Sequence, residues 1–438
     1  MELYLHIPFC ARKCNYCDFL SFPAAAELQH AYLEKLKQEL AATAAFWREA
    51  VVDTIFIGGG TPSLLDAREL SSLLDTVREH YRLSPDAEIT VECNPASTLR
   101  HKFAIYRKAG VNRLSIGLQS ADNAELKMLG RLHSYEEFLK CYQGARMEGF
   151  SNINVDLINC LPMQSAALWK RTLRTVLLLK PEHLSVYNLI VEPGTPFYDM
   201  QQQGLLMMPD EEEQARIDAV TRELLAKQGY ERYEISNWQR KGHACRHNIG
   251  YWTGVPYLGF GLGASSYDGA FRYKNTTDLD AYLKANFGSA DSPNPAGLES
   301  IRCEAHKLSR EEAMEEFMFL GLRMTAGVRP SDFLQRFGQQ IESVYGEQLE
   351  RFCAQGLMER VTEEATARAC AVSAVSPALG RGASGMSVDL AAGFDGPAAA
   401  PAAVKESPVG TRDHFLRYRL TERGMDLSNL VLSDFLLT

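Results

Sequence analysis

Along the first half of the chain, short apolar runs alternate with longer stretches whose apolar residues recur every three or four positions. The short runs are Leu3–Ile7, Thr54–Ile57, Ile89–Glu92, Arg113–Gly117, Ile153–Leu157 and His183–Leu189. Their length and β-branched content predict strands. The stretches Glu27–Trp47, Asp66–Tyr81, Thr98–Ala109, Tyr135–Glu148 and Ser165–Leu179 carry the helical period. Strand then helix, repeated along the chain, implies an α/β fold with a parallel sheet and helices outside it. Six units are fewer than the eight of a closed barrel, so a partial (β/α)6 TIM-like barrel and a doubly wound sheet both fit. In either, chemistry gathers at the carboxyl ends of the strands.

The second half reads differently. Asp210–Gly229 is one more helix with a glycine stop. Residues Tyr230–Tyr273 are rich in glycine and aromatics and lack a period, and Gly288–Gly297 has the composition of a linker. Ser309 is a helix cap ahead of the apolar face of Ser309–Thr325, and Pro330–Phe337 and Ile341–Gln355 are further helices. Leu416–Leu420 reads as a strand before Thr421–Asn429. The expected domains are 1–230, an extension at 231–287, and a small α-rich, winged-helix-like domain at 298–438. Within that last domain, about 365–410 is dominated by Ala, Gly, Ser and Pro and is read as a disordered insertion.

The 438 residues suffice for a large core, and the formal charge of −9 argues against a nucleic-acid partner. No run reaches the ~18 to 20 apolar residues of a membrane span. Met1–Tyr4 leads straight into a strand-like segment, without a basic, apolar signal region. The expected location is the cytoplasm, with peripheral membrane contact left open. Of ten cysteines, Cys93, Cys141, Cys303 and Cys353 lie scattered and read as small buried hydrophobes.

Three others stand together. Cys10, Cys14 and Cys17 fall within one loop directly after the first strand. Three thiolates are one short of the four that a structural zinc or an electron-transfer [4Fe–4S] cluster takes. A [4Fe–4S] cluster held by three leaves one iron open for S-adenosylmethionine, which can chelate through its amino and carboxylate groups. A zinc site completed by a distant Cys or His is the plainer reading of the bare spacing. A second feature, Gly58-Gly59-Gly60-Thr61-Pro62, follows the second strand, where consecutive glycines let a ligand approach the backbone. A third is a set of polar residues at successive strand ends: Glu92, Gln119, Arg131 and Asp156. Charged residues in buried strands need partners.

With these in place the chain resembles the radical-SAM family of oxygen-independent coproporphyrinogen-III oxidase-like proteins. The carrying segments are Tyr4–Phe9 with the cysteine triplet, Gly58–Ser63, Val91–Ser97, Asn112–Ser120, Gly130–His133, Val155–Pro162, His183–Phe197, Tyr233–Tyr267 and Leu420–Leu437. The resemblance implies a partial (β/α)6 radical-SAM barrel and cluster ligation by Cys10, Cys14 and Cys17. It also implies S-adenosylmethionine contacts at Tyr4, Tyr16, Gly59, Gly60, Thr61, Glu92, Gln119, Arg131 and Asp156.

Within that family the chain is more similar to the heme chaperone branch than to the dehydrogenase branch. Asp18 stands where the dehydrogenases carry a further cysteine, and only nine residues precede Cys10. The segment His247-Asn248-Ile249-Gly250-Tyr251-Trp252 matches the HNxxYW motif of the chaperone branch. The resemblance implies heme as cargo, a heme-accepting protein and an electron donor as partners, and a heme role for His247, Asn248, Tyr251 and Trp252. Cys245 is a further candidate ligand. The alternative activity is radical oxidative decarboxylation of coproporphyrinogen III. Two departures stand out: Cys160-Leu161-Pro162-Met163 replaces Gly-Leu-Pro-Gly, and Ser265 stands where relatives carry His.

Overall fold

The computed structural model describes residues 1–98, 100–362 and 416–437. Six strands, β1 (Glu2–Ile7), β2 (Val51–Gly59), β3 (Arg82–Cys93), β4 (Arg113–Gln119), β5 (Ile153–Asn159) and β6 (His183–Asn188), lie side by side in chain order, all parallel. The connections carry α1 (Ala26–Ala44), α2 (Ala67–His80), α3 (Arg100–Lys108), α4 (Asn123–Met128), α5 (Tyr135–Met147) and α6 (Ala166–Leu177), followed after β6 by α7 (Pro196–Gln202) and α8 (Glu211–Lys227). This is the partial barrel expected. The helices start where the sequence offers caps: Asp66 before α2, a Ser134–Glu137 capping box at α5, Ser165 before α6 and Asp210 before α8.

The sheet continues at both edges with strands that periodicity did not reveal. Beyond β6 come the antiparallel β8 (Asn237–Gln239) and β7 (Glu231–Arg232). Beyond β1 come β9 (Tyr257–Phe260), parallel to β1, then β10 (Ser265–Tyr267), β11 (Phe271–Asn275) and β12 (Arg302–Lys307). Between β8 and β9 sits α9 (Arg246–Thr253), stopped by Gly254 at φ 71°.

Side chains alternate across each strand, and the two faces differ in kind. Leu3, Leu5 and Ile7 of β1 pack outward with Leu33, Leu36 and Leu40 of α1 in one continuous core. The inner face is polar: Tyr4, Glu92, Arg113, Ser115, Asn154, Asp156 and Ser185 line a common cavity. Parallel strands covered on both faces normally read as unbroken apolar runs. A polar interior is therefore a departure that a site must explain.

The chain divides into two compact units, Met1–Tyr267 with Arg272–His306, and Asp268–Phe271 with Lys307 onward. The stretch Gly288–Gly297, read above as a linker, lies inside the first unit. There the Asn294 side chain donates to Asn286 O at 2.8 Å, and Pro295 opens a helix, Pro295–Ser300. The second unit holds helices Arg310–Gly321, Pro330–Phe337 and Ile341–Ala354, then an antiparallel ribbon of β13 (Met358–Thr362) and β14 (Leu416–Leu420) and two short helices. Ser309 and Glu312 form the capping box of its first helix. The Ala/Gly-rich stretch at about 365–410 lies outside the described residues. No helix among the described residues is long and apolar enough to cross a membrane.

Candidate functional site

β1 runs straight into the cysteine loop at the barrel mouth. Cys10, Cys14 and Cys17 are all free and partly exposed. The loop is clamped from several sides. Asn15 donates from its backbone to Leu129 O at 3.0 Å and from its side chain to Met128 O at 2.8 Å, and Phe197 N donates to Asn15 O at 3.0 Å. Cys10 Sγ meets Thr61 Oγ1 at 3.2 Å, and Arg131 Nη1 donates to Cys14 Sγ at 3.8 Å. Burial pushes the Cys17 thiol up, and the nearby Cys14 and Cys10 sulfurs push it the same way. Among the described residues no three His, Cys, Asp or Glu side chains converge tightly enough for a single metal ion.

The glycine loop at the end of β2 is built for close approach. A Cβ on Gly60 would stand 2.7 Å from Phe9 O and 3.1 Å from Cys10 Sγ. On Gly59, at φ +113°, it would meet the His6 ring at 2.6 Å, and on Gly58 it would lie 3.1 Å from the Glu92 carboxyl carbon. Gly59 N donates to Glu92 Oε2 at 3.1 Å. His6 was not foreseen as a site residue. It holds the Tyr4 hydroxyl at 3.1 Å and Leu20 O at 3.0 Å, joining β1 to the end of the cysteine loop.

The remaining predicted residues ring the same mouth and the cavity beneath it. Glu92 is pushed up to about 8, first by burial and then by the Asp156 carboxylate, with Gly59 N–H and Arg113 opposing. Asp156 accepts from Ser115 Oγ at 2.9 Å and Asn154 Nδ2 at 2.7 Å. Gln119 ends β4 in the left-handed region at φ 72°, which strains a side chain with a Cβ and is a mark of functional positions. Gly117 makes room for it, since a Cβ there would sit 2.9 Å from Gln119 Nε2. Arg131 Nη2 donates to Gly117 O at 2.8 Å, while its Nε has no hydrogen-bond partner. Tyr16 packs against Arg131, and burial holds the Tyr4 and Tyr16 phenols far above their usual range. The structure thus brings Tyr4, Tyr16, Gly59, Gly60, Thr61, Glu92, Gln119, Arg131 and Asp156 to one end of the barrel.

The HNxxYW segment meets the same cavity from its other side. It forms α9, which closes the barrel floor from below the strands. Gly250 seats the helix on β1: a Cβ there would fall 1.9 Å from Glu2 Oε1. His247 is 1% exposed, with Nδ1 on Thr54 Oγ1 at 2.7 Å and Nε2 on Tyr251 OH at 2.9 Å. Its ring stacks on Phe56 at 5.2 Å, and burial, then the charge of Arg113, lowers it to about 3. Cys245 is buried and donates to Glu88 Oε1 at 3.6 Å. Both His247 nitrogens are engaged and the ring is enclosed. Tyr251 and Asn248 line the cavity with His247, while Trp252 is half-buried. That cavity, about 180 Å³, runs from Tyr4, Glu92 and Asp156 down to α9.

Arg113 was also missed. It is 1% exposed, lines this cavity and leaves Nε without a partner, so its charge is answered at a distance by Glu88 and Asp156. The alternation Arg-Leu-Ser-Ile-Gly in β4 carried the signal, since every second residue is polar or glycine. The two sequence departures have clear places in the structure. Cys160 and Met163 sit at φ 53° and 60°, conformations that glycine takes freely. Ser265 is exposed at the start of β10.

A model of the radical SAM superfamily matches residues 4–176, and a model of the HemN C-terminal domain matches residues 308–363. Fold and site together define a radical-SAM protein. The "Heme chaperone HemW" of Bacillus subtilis is 36% identical over 81% of this chain and 92% of that protein. The protein of the same name from Lactococcus lactis is 38% identical over 81% of this chain and 90% of its own length. The chain belongs to the heme chaperone HemW family. Its fold is also that of the Escherichia coli coproporphyrinogen III oxidase HemN, a radical SAM enzyme, at a TM-score of 0.73 and 22% identity over 100% of this chain and 90% of that one.

Proposed function

We propose that the chain binds heme and hands it to an acceptor protein, with Cys10, Cys14 and Cys17 holding a [4Fe–4S] cluster at the barrel mouth. Tyr4, Tyr16, Gly59, Gly60, Thr61, Glu92, Gln119, Arg131 and Asp156 are the residues that would hold S-adenosylmethionine beside it. A three-thiolate cluster supplies one-electron chemistry and an open iron for that ligand. The chain's own parts suit this. The loop glycines keep side chains away from the thiols, Gly59 and Glu92 offer hydrogen-bonding groups, and Arg131 faces Cys14 with a cation. Arg131 also has an unpartnered N–H.

One observation carries delivery over conversion. The pocket beneath these residues, lined on one side by His247, Asn248 and Tyr251 of α9, has a volume of about 180 Å³. Pockets that enclose small molecules run to roughly 300–1,000 Å³. The pocket above α9 is smaller than that, which supports a tetrapyrrole meeting this unit from outside, as cargo does. The test is an anaerobic heme titration of cluster-reconstituted protein, followed at the Soret band. Stoichiometric binding is expected, with iron and sulfide content lost in Cys14→Ala. Absence of heme binding in the loaded wild type would refute the reading.

A further inference from the structure

Arg113 is one of the largest side chains that the fold buries whole, and it reaches from β4 into the cavity of the barrel. Taking a guanidinium out of water is costly unless hydrogen bonds and a counter-charge replace the solvent. Here the replacement is incomplete. Its Nε–H has no partner, and Glu88 and Asp156 answer its charge only at a distance. Both carboxylates take their hydrogen bonds elsewhere. Glu88 Oε1 accepts from Cys245 Sγ at 3.6 Å and from His247 N at 3.3 Å. Asp156 accepts from Ser115 and Asn154. Glu92 and Glu2 hold their protons to about pH 8 and pH 9, chiefly because they are buried, so neither offers Arg113 a negative charge at pH 7. Thr90, the neighbour of Arg113 across β3 and β4, is fully buried, and its hydroxyl also lacks a partner.

The cavity itself fits what Arg113 lacks. Ser115, Asn154, Ser185 and Tyr187 line it beside the guanidinium, so β4, β5 and β6 all present polar groups there. Packing alone would fill such a wall with apolar side chains. At about 180 Å³ the space is smaller than pockets that enclose a whole small molecule, roughly 300–1,000 Å³, and suits a short chain of a few heavy atoms. A guanidinium offers its N–H groups in a planar fork that matches a carboxylate, two hydrogen bonds at once. Water could fill the cavity and meet the orphaned N–H, but it brings no charge. A carboxylate brings both.

We propose that Arg113 anchors a carboxylate-binding site inside the barrel, between α9 and the residues proposed for S-adenosylmethionine. The ligand is a short carboxylate, either free or the propionate arm of a tetrapyrrole whose ring stays outside. The site does not depend on the delivery reading. In the first arm of the test, cluster-reconstituted protein without S-adenosylmethionine is unfolded by heat under anaerobic conditions, in sodium propionate and in sodium chloride of equal ionic strength. The second arm titrates hemin and hemin dimethyl ester, which lacks free carboxylates, and reads the Soret band. Both arms are repeated on Arg113→Met, which removes fork and charge. They are also run on Arg113→Lys, which keeps a charge facing Glu88 and Asp156 should the Met variant fail to fold. A free ligand predicts that propionate raises the wild-type midpoint saturably, with affinity about tenfold or more weaker in the variants. A tethered arm predicts no propionate effect, but hemin binding about tenfold tighter than its diester in wild type and no such preference in the variants. Wild type that ignores propionate and does not prefer hemin over its diester would overturn the site and leave a water-filled cavity. Variants that match wild type in both arms would overturn it as well. Should propionate stabilise wild type while hemin does not bind, delivery falls and the carboxylate site stands.

Discussion

Single residues at the site carry opposing demands of stability and chemistry. Glu92 holds its proton to about pH 8 in the folded chain, against 4.5 for an ordinary Glu. The folded state therefore binds more protons than the unfolded one between these values, and stability falls as pH rises through that window. Glu92→Gln should make the cofactor-free protein more stable than wild type at pH 8, by a few kcal/mol at most, with the gap closing toward pH 4. Thermal unfolding across pH checks this. Gly60 tests the cradle instead. Gly60→Ala drives a methyl toward Phe9 O and Cys10 Sγ, so reconstituted iron and sulfide should drop sharply while far-ultraviolet circular dichroism stays unchanged. Much of this site was legible beforehand because cysteines, glycines and strand-end charges are conspicuous by type. His6 was not, because a lone polar residue inside a strand pattern declares neither its face nor its partner, and Arg113 was missed because its alternation with Ser115 gives a face but no partner.

Among the elements, α9 is the informative one. It carries the segment that sequence resemblance tied to heme, yet its histidine is folded inward against Thr54, Phe56 and Tyr251. His247 stays neutral down to about pH 3, whereas the unfolded residue protonates near 6.5. Below 6.5 the unfolded state binds the extra proton, so stability falls as pH drops, by up to ~1.4 kcal/mol per pH unit for this group. His247→Gln should flatten the loss between pH 6.5 and 4, measured by urea unfolding. Gly250→Ala places a methyl on the Glu2 carboxylate and should lower stability by about 1–3 kcal/mol, or unseat the helix. The six core strands and their helices were readable because apolar runs and helical periods are long. The edge strands β7 to β12 were not, since runs of two to six residues rich in aromatics and glycine give no period.

At the scale of the whole molecule, the barrel separates two polar layers. The mouth gathers thiols, glycines, Gln119 and Arg131; the floor gathers Glu2, Glu88, His247 and Cys245 around α9. What joins them is a cavity of about 180 Å³. The fold is shared with an enzyme that oxidises coproporphyrinogen III, so architecture alone does not separate carriage from conversion. We read the small pocket above α9 as favouring carriage. The most direct test supplies the cluster-reconstituted protein with coproporphyrinogen III, S-adenosylmethionine and a reductant under anaerobic conditions, and separates the tetrapyrroles by chromatography. The account predicts unchanged coproporphyrinogen from the same preparation that binds heme stoichiometrically. Formation of the divinyl product, abolished by Cys14→Ala, would contradict it and make this chain a dehydrogenase.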